Sequence, residues 1–283
     1  MNFVLAAFRV VVLMILLLLI LFLSVFSAKG QVENPARAVV EQFEAAFRMG
    51  VTNEDVQMAM TIVDVNGAMN NDRVLRYVIA YGQNGVGNKI LTRFEKPVTI
   101  RGVAVLTLED PRGDTQYLYL KSVRKSSKVV ATDRKNRFFG TDYSIGDVRM
   151  EHLELWTYRN LAEETLEFST AYGGATIATQ RLEAVPAEGM DAYYTRRVLW
   201  YDVDRHVLVK EEMYNADGLW KTRTRWDFVS FPIAGNETVL RARFEEMRDH
   251  RSNSRTMIEA TERRFNQDLP AETFTTRELD RGR

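Results

Sequence analysis

Three histidines and one acidic cluster are the residues whose types best suit catalysis or metal binding. His152, His206 and His250 are far apart in the sequence, and each falls in a strand-like segment. Residues 202–206 (DVDRH) offer two carboxylates and an imidazole, which suits a metal ion but is equally typical of a polar turn between strands. Because no nucleophile lies at a usable spacing from a base, the sequence predicts a protein that is not an enzyme.

Other chemical motifs are incomplete. Residues 82–89 (GQNGVGNK) resemble a phosphate-binding loop, but Asn88 precedes the lysine and the flanks read as strands, which favours a hairpin turn. The chain has no cysteine, which excludes disulfides, thiol catalysis and cysteine-based metal sites. Its 38 basic residues balance 38 acidic ones, which argues against a nucleic-acid partner. No cofactor or metal is expected.

A basic stretch followed by two phenylalanines and a glycine is the most unusual local pattern. Residues 121–137 hold seven basic side chains against one acid, Asp133, and the sequence continues as FFGTDY over residues 138–143. The stretch fits an ordinary solvated face or a surface that meets anionic headgroups or an acidic partner. For the second case the predicted contact residues are Lys121, Arg124, Lys125, Lys128 and Arg134. Phe138 and Phe139 would then turn inward as an apolar plug, with Gly140 allowing the sharp turn.

The N-terminus has the pattern of an export signal. Arg9 precedes residues 10–26, a run of 17 residues without a charge, and the small residues Ala28 and Gly30 follow. This pattern predicts a signal peptide over residues 1–30, cleaved after Gly30. Because the run just reaches the length needed to span a bilayer, an uncleaved membrane anchor over residues 10–26 is the alternative.

The sequence of the remaining chain predicts one helix followed by many strands. Asn34 and Pro35 predict a helix start, Val40 and Phe43 follow at helical spacing, and we assign residues 31–55 to this N-terminal segment. From residue 56 to residue 283 apolar residues alternate with polar ones in at least ten runs separated by turn signals. A sheet this wide is expected to curl into a barrel or partial barrel, so the predicted fold class is α+β, mainly β, with antiparallel strands.

The strand LWKTRTRWDF, residues 219–228, shows the alternation clearly. Trp220, Trp226 and Phe228 are predicted to share one face, and the charged residues between them the other. We expect at least one of the two tryptophans to line a cavity and to report on a bound ligand.

Residues 115–148 (TQYLYLKSVRKSSKVVATDRKNRFFGTDYSIGDV) resemble the central signature of the outer-membrane lipoprotein-sorting, LolA-like, family. That signature has a Leu-Tyr-Leu strand, a basic stretch, a Phe-(Phe/Met)-Gly-(Ser/Thr)-Asp-(Phe/Tyr) turn and then an acidic residue, here Asp147. Weaker similarity over residues 98–108, 200–231 and 263–281 extends the resemblance to about residues 56–281. One departure is Lys121, where family members often have proline.

The resemblance implies a curved antiparallel sheet, an incomplete barrel wrapped over a helix, with an apolar cavity. It also implies carriage of a lipid or lipoprotein acyl chain through the periplasm, often beside an RND-type exporter. The residues that we expect at the cavity or its mouth are Leu118, Leu120, Phe138, Phe139, Trp220, Trp226 and Phe228. Two alternatives stay open: these side chains fill an ordinary core, or the protein is a membrane-anchored accessory subunit of an envelope transporter that carries nothing.

Overall fold

The computed structural model describes residues 34–282, except 84–86, 111–112, 151, 191, 234 and 236. The predictions of a cleaved signal peptide and of a membrane anchor fall on residues 1–30, outside the described part of the chain. Within that part, no helix is both long enough and apolar enough to cross a membrane.

One antiparallel sheet dominates the described residues. Its strands are β1 (Asn53–Val63), β2 (Met69–Ala80), β3 (Lys89–Lys96), β4 (Ala104–Leu108), β5 (Thr115–Leu120), β6 (Lys125–Lys128), β7 (Trp156–Asn160), β8 (Glu164–Glu167), β9 (Thr176–Pro186), β10 (Arg196–Asp202), β11 (Val207–Asn215), β12 (Gly218–Pro232), β13 (Thr238–Asp249) and β14 (Ser254–Phe265). The helices are α1 (Pro35–Arg48) and the short C-terminal α2 (Thr276–Asp280).

The sheet is wide and open. Its strand order is β6-β5-β4-β3-β2-β1-β14-β13-β12-β11-β10-β9-β7, and β8 also pairs with β9. In the described residues the two ends, β6 on one side and β7 with β8 on the other, do not pair. One core nevertheless gathers Phe94 of β3, Trp156 of β7, Leu182 of β9 and Met247 of β13, so the sheet curves around it. The predicted mainly β fold with an incomplete barrel is confirmed.

Helix α1 packs against this core, and its N-terminal end is fixed to the sheet. The Asn34 side chain caps the helix by accepting a hydrogen bond from the Ala36 backbone N–H at 3.0 Å. Its Nδ2 also donates to the Tyr158 carbonyl on β7 at 2.8 Å, which fixes the start of the helix against the sheet. Val40 and Phe43 are buried in the main core. The helix predicted from the Asn-Pro signal is confirmed.

The opposite, convex face of β2–β5 has its own small core under the C-terminal tail. Val78, Leu91 and Leu106 from the strands pack there with Phe274 and Leu279 of the tail. Alternating residues of a strand point to opposite faces, so β3 presents Leu91 and Arg93 to the tail and its intervening residues to the main core. The sheet therefore has two covered faces in this region.

Candidate functional site

A cavity of about 340 Å³ lies between α1 and the concave face of the sheet. Its lining is mostly apolar and comes from elements distant in sequence. Residues on its walls include Phe43 and Phe47 of α1, Met58 and Met60 of β1, Leu75 of β2, Phe228 of β12, Leu240 of β13 and Ile258 and Ala260 of β14. Phe43 also stacks on Tyr201 with ring centroids 4.2 Å apart, so the helix is held over the cavity by an aromatic contact.

The FFGTDY segment, residues 138–143, forms one wall. Phe138 is only 2% exposed, lines the cavity and stacks on Phe94 at a centroid distance of 5.0 Å. Phe139 packs edge-on against the same Phe94 ring at 5.8 Å. Phe139 and Gly140 both have positive φ, 49° and 79°, and this pair of left-handed residues makes the sharp turn that follows the two rings.

Polar residues of the same segment fasten it to the sheet. The Asp142 carboxylate is buried and accepts hydrogen bonds from Arg137, from Ser254 and, at 2.7 Å, from the Thr256 hydroxyl. The Tyr143 hydroxyl donates to Glu245 of β13 at 2.5 Å. Buried polar groups need such partners, so Asp142 and Tyr143 attach the segment to the sheet and hold the two phenylalanines in place.

A buried ion pair also attaches the residues after this segment to the sheet. Asp147 accepts a hydrogen bond from the Ser144 backbone N–H at 2.7 Å and pairs with Lys221 Nζ of β12 at 2.6 Å. Burial alone would raise the pKa of Asp147, but Lys221 and Arg223 outweigh it and lower the pKa to about 2. The carboxylate is therefore ionised at all ordinary pH values, and the segment stays attached to β12.

The cavity wall also includes charged groups. Arg223 and Arg225 of β12 line it beside Glu245, which accepts a hydrogen bond from Arg225 Nε at 2.7 Å. Arg223 lies 3.8 Å from both Glu211 and Glu245, and its Nε makes no hydrogen bond to the described residues. The mostly apolar wall of the cavity thus includes an arginine, a residue type that can donate to a polar atom of a ligand.

Two of the seven predicted cavity residues lie on the cavity wall, and five do not. Phe138 and Phe228 line the cavity, whereas Leu118, Leu120 and Phe139 pack against the main core beside it. Trp220 packs on Tyr193 and Tyr194, and Trp226 contacts Tyr172 and Phe244. A register shift between β11 and β12 leaves Trp220 as an extra residue, so the simple alternation that put both tryptophans on one face does not hold across it.

The predicted basic contact residues lie elsewhere. Lys121, Arg124, Lys125 and Lys128 are exposed on the β5–β6 hairpin at one end of the sheet, and none of them lines the cavity. Arg134 is half-buried and donates to the Asp114 carbonyl at 2.7 Å. The hairpin contacts the C-terminal helix, because the Ser126 backbone N–H donates to Asp280 at 2.6 Å.

The acidic cluster at residues 202–206 forms a turn. One oxygen of Asp202 accepts the backbone N–H groups of Asp204 and Arg205 at 3.0 Å each, and the other accepts from the Arg205 side chain. His206 lies on the cavity wall and meets the edge of Phe43. Across the described part of the chain, no three acidic or histidine side chains come together in a way that could hold a metal ion.

Several lining residues were not foreseen. Phe47 of α1 and Met58 and Met60 of β1 come from segments predicted only as a helix and a strand, and Arg223 and Arg225 were placed on the face opposite the predicted cavity residues of β12. The alternation of basic and polar residues in β12 was the available signal. It shows which residues share a face, but the side of the sheet that faces the cavity depends on pairings far along the chain.

Comparisons with known proteins agree with this architecture. A family model described as "Uncharacterized protein" matches residues 87–281, and no curated protein sequence matches the chain. An outer membrane lipoprotein-sorting protein domain from Vibrio parahaemolyticus has 22% identity and a TM-score of 0.75, over 87% of this chain and 98% of that one. A DUF1329 family protein from Desulfovibrio piger has 19% identity and a TM-score of 0.73, over 87% and 99% of the chains.

A third similar structure is a LolA superfamily protein from Nitrosomonas europaea, with 18% identity, a TM-score of 0.63 and coverage of 85% of this chain and 97% of that one. These TM-scores establish a shared fold, and at identities this low they show the fold alone. The family model matches more than half of the sequence. The chain belongs to the family of that model, and its fold is the one shared by outer membrane lipoprotein-sorting, DUF1329 and LolA superfamily proteins.

Proposed function

We propose that the protein is an exported carrier that holds an acyl chain of a lipid or lipoprotein in the cavity beneath α1. The observation that carries the proposal is the cavity itself, about 340 Å³ in volume with mostly apolar walls. Small-molecule sites commonly start at about 300 Å³ and combine apolar walls with a few polar groups. Arg223 supplies such a polar group, a donor for an ester or carboxylate oxygen.

The expected affinity follows from apolar burial. Each methylene removed from water contributes about 0.8 kcal/mol, so a chain of a dozen or so carbons would be retained and still be released to an acceptor. The walls that would bury it are formed by the side chains of Met58, Met60, Leu75 and Ile258. Phe138 and Phe139 are proposed to close one side of the bound chain.

The proposed cellular setting rests on the fold and the leader. The similar structures include a protein domain named for outer membrane lipoprotein sorting, and residues 1–30 have the pattern of an export signal. We therefore place the carrier in the periplasm, and an RND-type exporter is the proposed partner. An uncleaved residue 10–26 segment would instead tether it to the inner membrane.

The proposal is tested by adding a fluorescent fatty acid to delipidated protein. Replacing Ala260, a wall residue opposite Met58 in the sheet, by Phe fills part of the cavity. Because each excluded methylene contributes about 0.8 kcal/mol, Ala260→Phe should weaken binding by about tenfold or more. The matched control is Ala178→Phe at an exposed position of β9, which should bind like the wild type.

Two results would reject the carrier. Equal binding by Ala260→Phe and wild type would place the probe outside this cavity. No binding by the wild type, together with an intact leader and stoichiometric association with a transporter, would instead favour a membrane-anchored accessory subunit.

A further inference from the structure

A second cavity, of about 650 Å³, lies on the convex side of the sheet. It is bounded by β2 and β3 and by the C-terminal tail, residues 269–282. On β3, Arg93 lines this cavity while the adjacent Thr92 lines the cavity beneath α1. Because neighbouring residues of a strand point to opposite faces, the sheet itself separates the two cavities.

Arg93 is a buried cation without a partner. It is 8% exposed, makes no hydrogen bond or ion pair with any residue that the structure describes, and leaves Nη1 completely unsatisfied. Burying an unpaired guanidinium is strongly unfavourable, and arginine does not escape the penalty by losing its proton at neutral pH. Burial lowers the pKa of Arg93, and Glu278 opposes that shift from beyond ion-pair distance.

The charges around Arg93 do not compensate it. Its cross-strand neighbour is another cation, Arg76, which forms a two-pronged pair with Asp55 at 2.8 and 2.7 Å. Like charges placed opposite each other in a sheet are destabilising, and here only one of the two has a carboxylate. Of these two cross-strand cations, Arg93 is therefore the one without a bonded carboxylate.

The carboxylates on the cavity wall are occupied or exposed. Glu278 pairs with Arg281 at 2.5 Å, and Glu95 accepts a hydrogen bond from Gln57 at 2.9 Å. Glu272 is on the exposed side of the tail. Within the described residues, Arg93 thus faces an opening without a protein group to complete its hydrogen bonds.

We propose that this convex-face cavity binds an oxyanion, a phosphate or carboxylate group carried on a short apolar body, with the Arg93 guanidinium as its fork. A guanidinium presents paired N–H donors that match two oxygens of such a group. Val78, Leu91 and Leu269 provide apolar surface for the attached body, and the exposed Arg101 stands at the rim. The basic β5–β6 hairpin, which contacts α2 beside the cavity, would raise the local concentration of anions.

Isothermal titration of the purified protein with hexyl phosphate, hexanoate, inorganic phosphate and hexanol tests the site. The oxyanion probes should bind and the neutral alcohol should not. Arg93→Met keeps the unbranched apolar stem and removes the guanidinium donors, so it should weaken oxyanion binding by about tenfold or more, the loss expected for charge-assisted hydrogen bonds. Tighter binding of hexyl phosphate than of inorganic phosphate would identify a lipid-like headgroup, and the reverse a free anion.

Thermal unfolding gives a second, independent readout. Without ligand, Arg93→Met should raise Tm, because an unpaired buried charge is removed, and hexyl phosphate should then no longer shift it. The matched control is Arg197→Met, which removes a buried arginine paired with Glu211. This control should lower Tm and keep the ligand-induced shift.

The site is rejected if hexanol binds as tightly as hexyl phosphate, or if Arg93→Met binds the oxyanions like the wild type. A lower Tm for ligand-free Arg93→Met would also contradict it, since Arg93 would then be stabilised by the protein alone. None of these outcomes bears on acyl-chain binding beneath α1, which the Ala260 variants test separately.

Discussion

At the scale of single residues, a cluster of titratable groups joins β4, β5 and the loop before β7. Burial raises the pKa of Glu109 to about 7, against opposing effects of His152 and of a hydrogen bond from Asn88. His152 Nε2 lies 2.9 Å from Asp114, and this hydrogen bond raises the pKa of the imidazole. Burial favours the protonated form of Asp114, but His152 and Arg149 outweigh it and lower the pKa of Asp114.

The free energy of unfolding should therefore decrease as the pH rises from about 4.5 to about 7. In this window the folded state keeps the Glu109 proton that the unfolded chain releases, so the free energy of unfolding falls as pH rises, by up to about 3 kcal/mol. The raised His152 pKa acts in the same direction, with stability lost as pH rises through its folded pKa. Asp114 acts oppositely, with stability lost as pH falls through its lowered pKa.

Urea unfolding at several pH values measures this dependence. Glu109→Gln should flatten the decrease between pH 4.5 and pH 7, because the amide does not titrate. Glu167→Gln, a change of an exposed carboxylate on β8, is the control and should keep the wild-type slope. An unchanged slope in Glu109→Gln would show that this group is not the one that titrates.

At the scale of elements, α1 is held at both ends. Asn34 caps its start, and at its end the Arg241 guanidinium of β13 donates to the Phe47 carbonyl at 2.7 Å and covers the Phe47 ring at 3.8 Å. The same guanidinium pairs with the buried Glu54 of β1 at 2.5 Å. One side chain thus links the helix over the cavity to two strands beneath it.

Removing this link should be costly. Arg241→Met leaves Glu54 with fewer charge partners in a buried place, and breaking a buried ion pair costs about 3–5 kcal/mol. Hydrogen exchange of α1 amides should also accelerate, because the last turn loses its contact. Arg243→Met, two residues along the strand, removes a half-exposed pair with Glu259 and should cost ~1 kcal/mol or less. Equal losses from the two variants, measured in urea, would contradict the assigned role of Arg241.

Local sequence signals predicted the helices, strands and turns well, but predicted less well which face of the sheet each side chain occupies. Asn34 and Pro35 mark the start of α1 because capping is decided within a few residues, and Gly140 marks a turn for the same reason. The alternation in β12 predicted the strand, but the extra residue at Trp220 changes which side of the sheet the neighbouring side chains point to. The Lys221 side chain is buried and pairs with Asp147, which is distant in the sequence. Contacts between segments about a hundred residues apart, like Tyr143 with Glu245, have no local signature.

At the scale of the whole molecule, the open sheet has two differently covered sides. The concave side holds α1 and the FFGTDY segment around an apolar cavity, and the convex side of β2–β5 holds the C-terminal tail. The exposed basic hairpin stands at the β6 end of the sheet. In the proposed carrier, this asymmetric charge distribution would orient the molecule against an anionic surface before its ligand moves.

Neutralising the hairpin should slow delivery to anionic membranes. We expect a variant with Lys121, Arg124, Lys125 and Lys128 changed to Gln to transfer a fluorescent fatty acid more slowly to phosphatidylglycerol vesicles. The effect should shrink as the salt concentration rises, because at 0.1 M salt exposed charges more than about 10 Å apart are already largely screened from each other. Vesicles of phosphatidylcholine are the control. The same slowing on both kinds of vesicle would exclude an electrostatic role and leave the hairpin as a solvated face.

Mass spectrometry of lipids extracted from protein purified without detergent shows whether the cavity beneath α1 holds an acyl chain, as proposed. We expect acyl lipid close to one per molecule in the wild type and in Ala178→Phe, and much less in Ala260→Phe at equal folded content. Absence of acyl lipid from the wild type, or the same lipid content in all three proteins, would contradict the proposal.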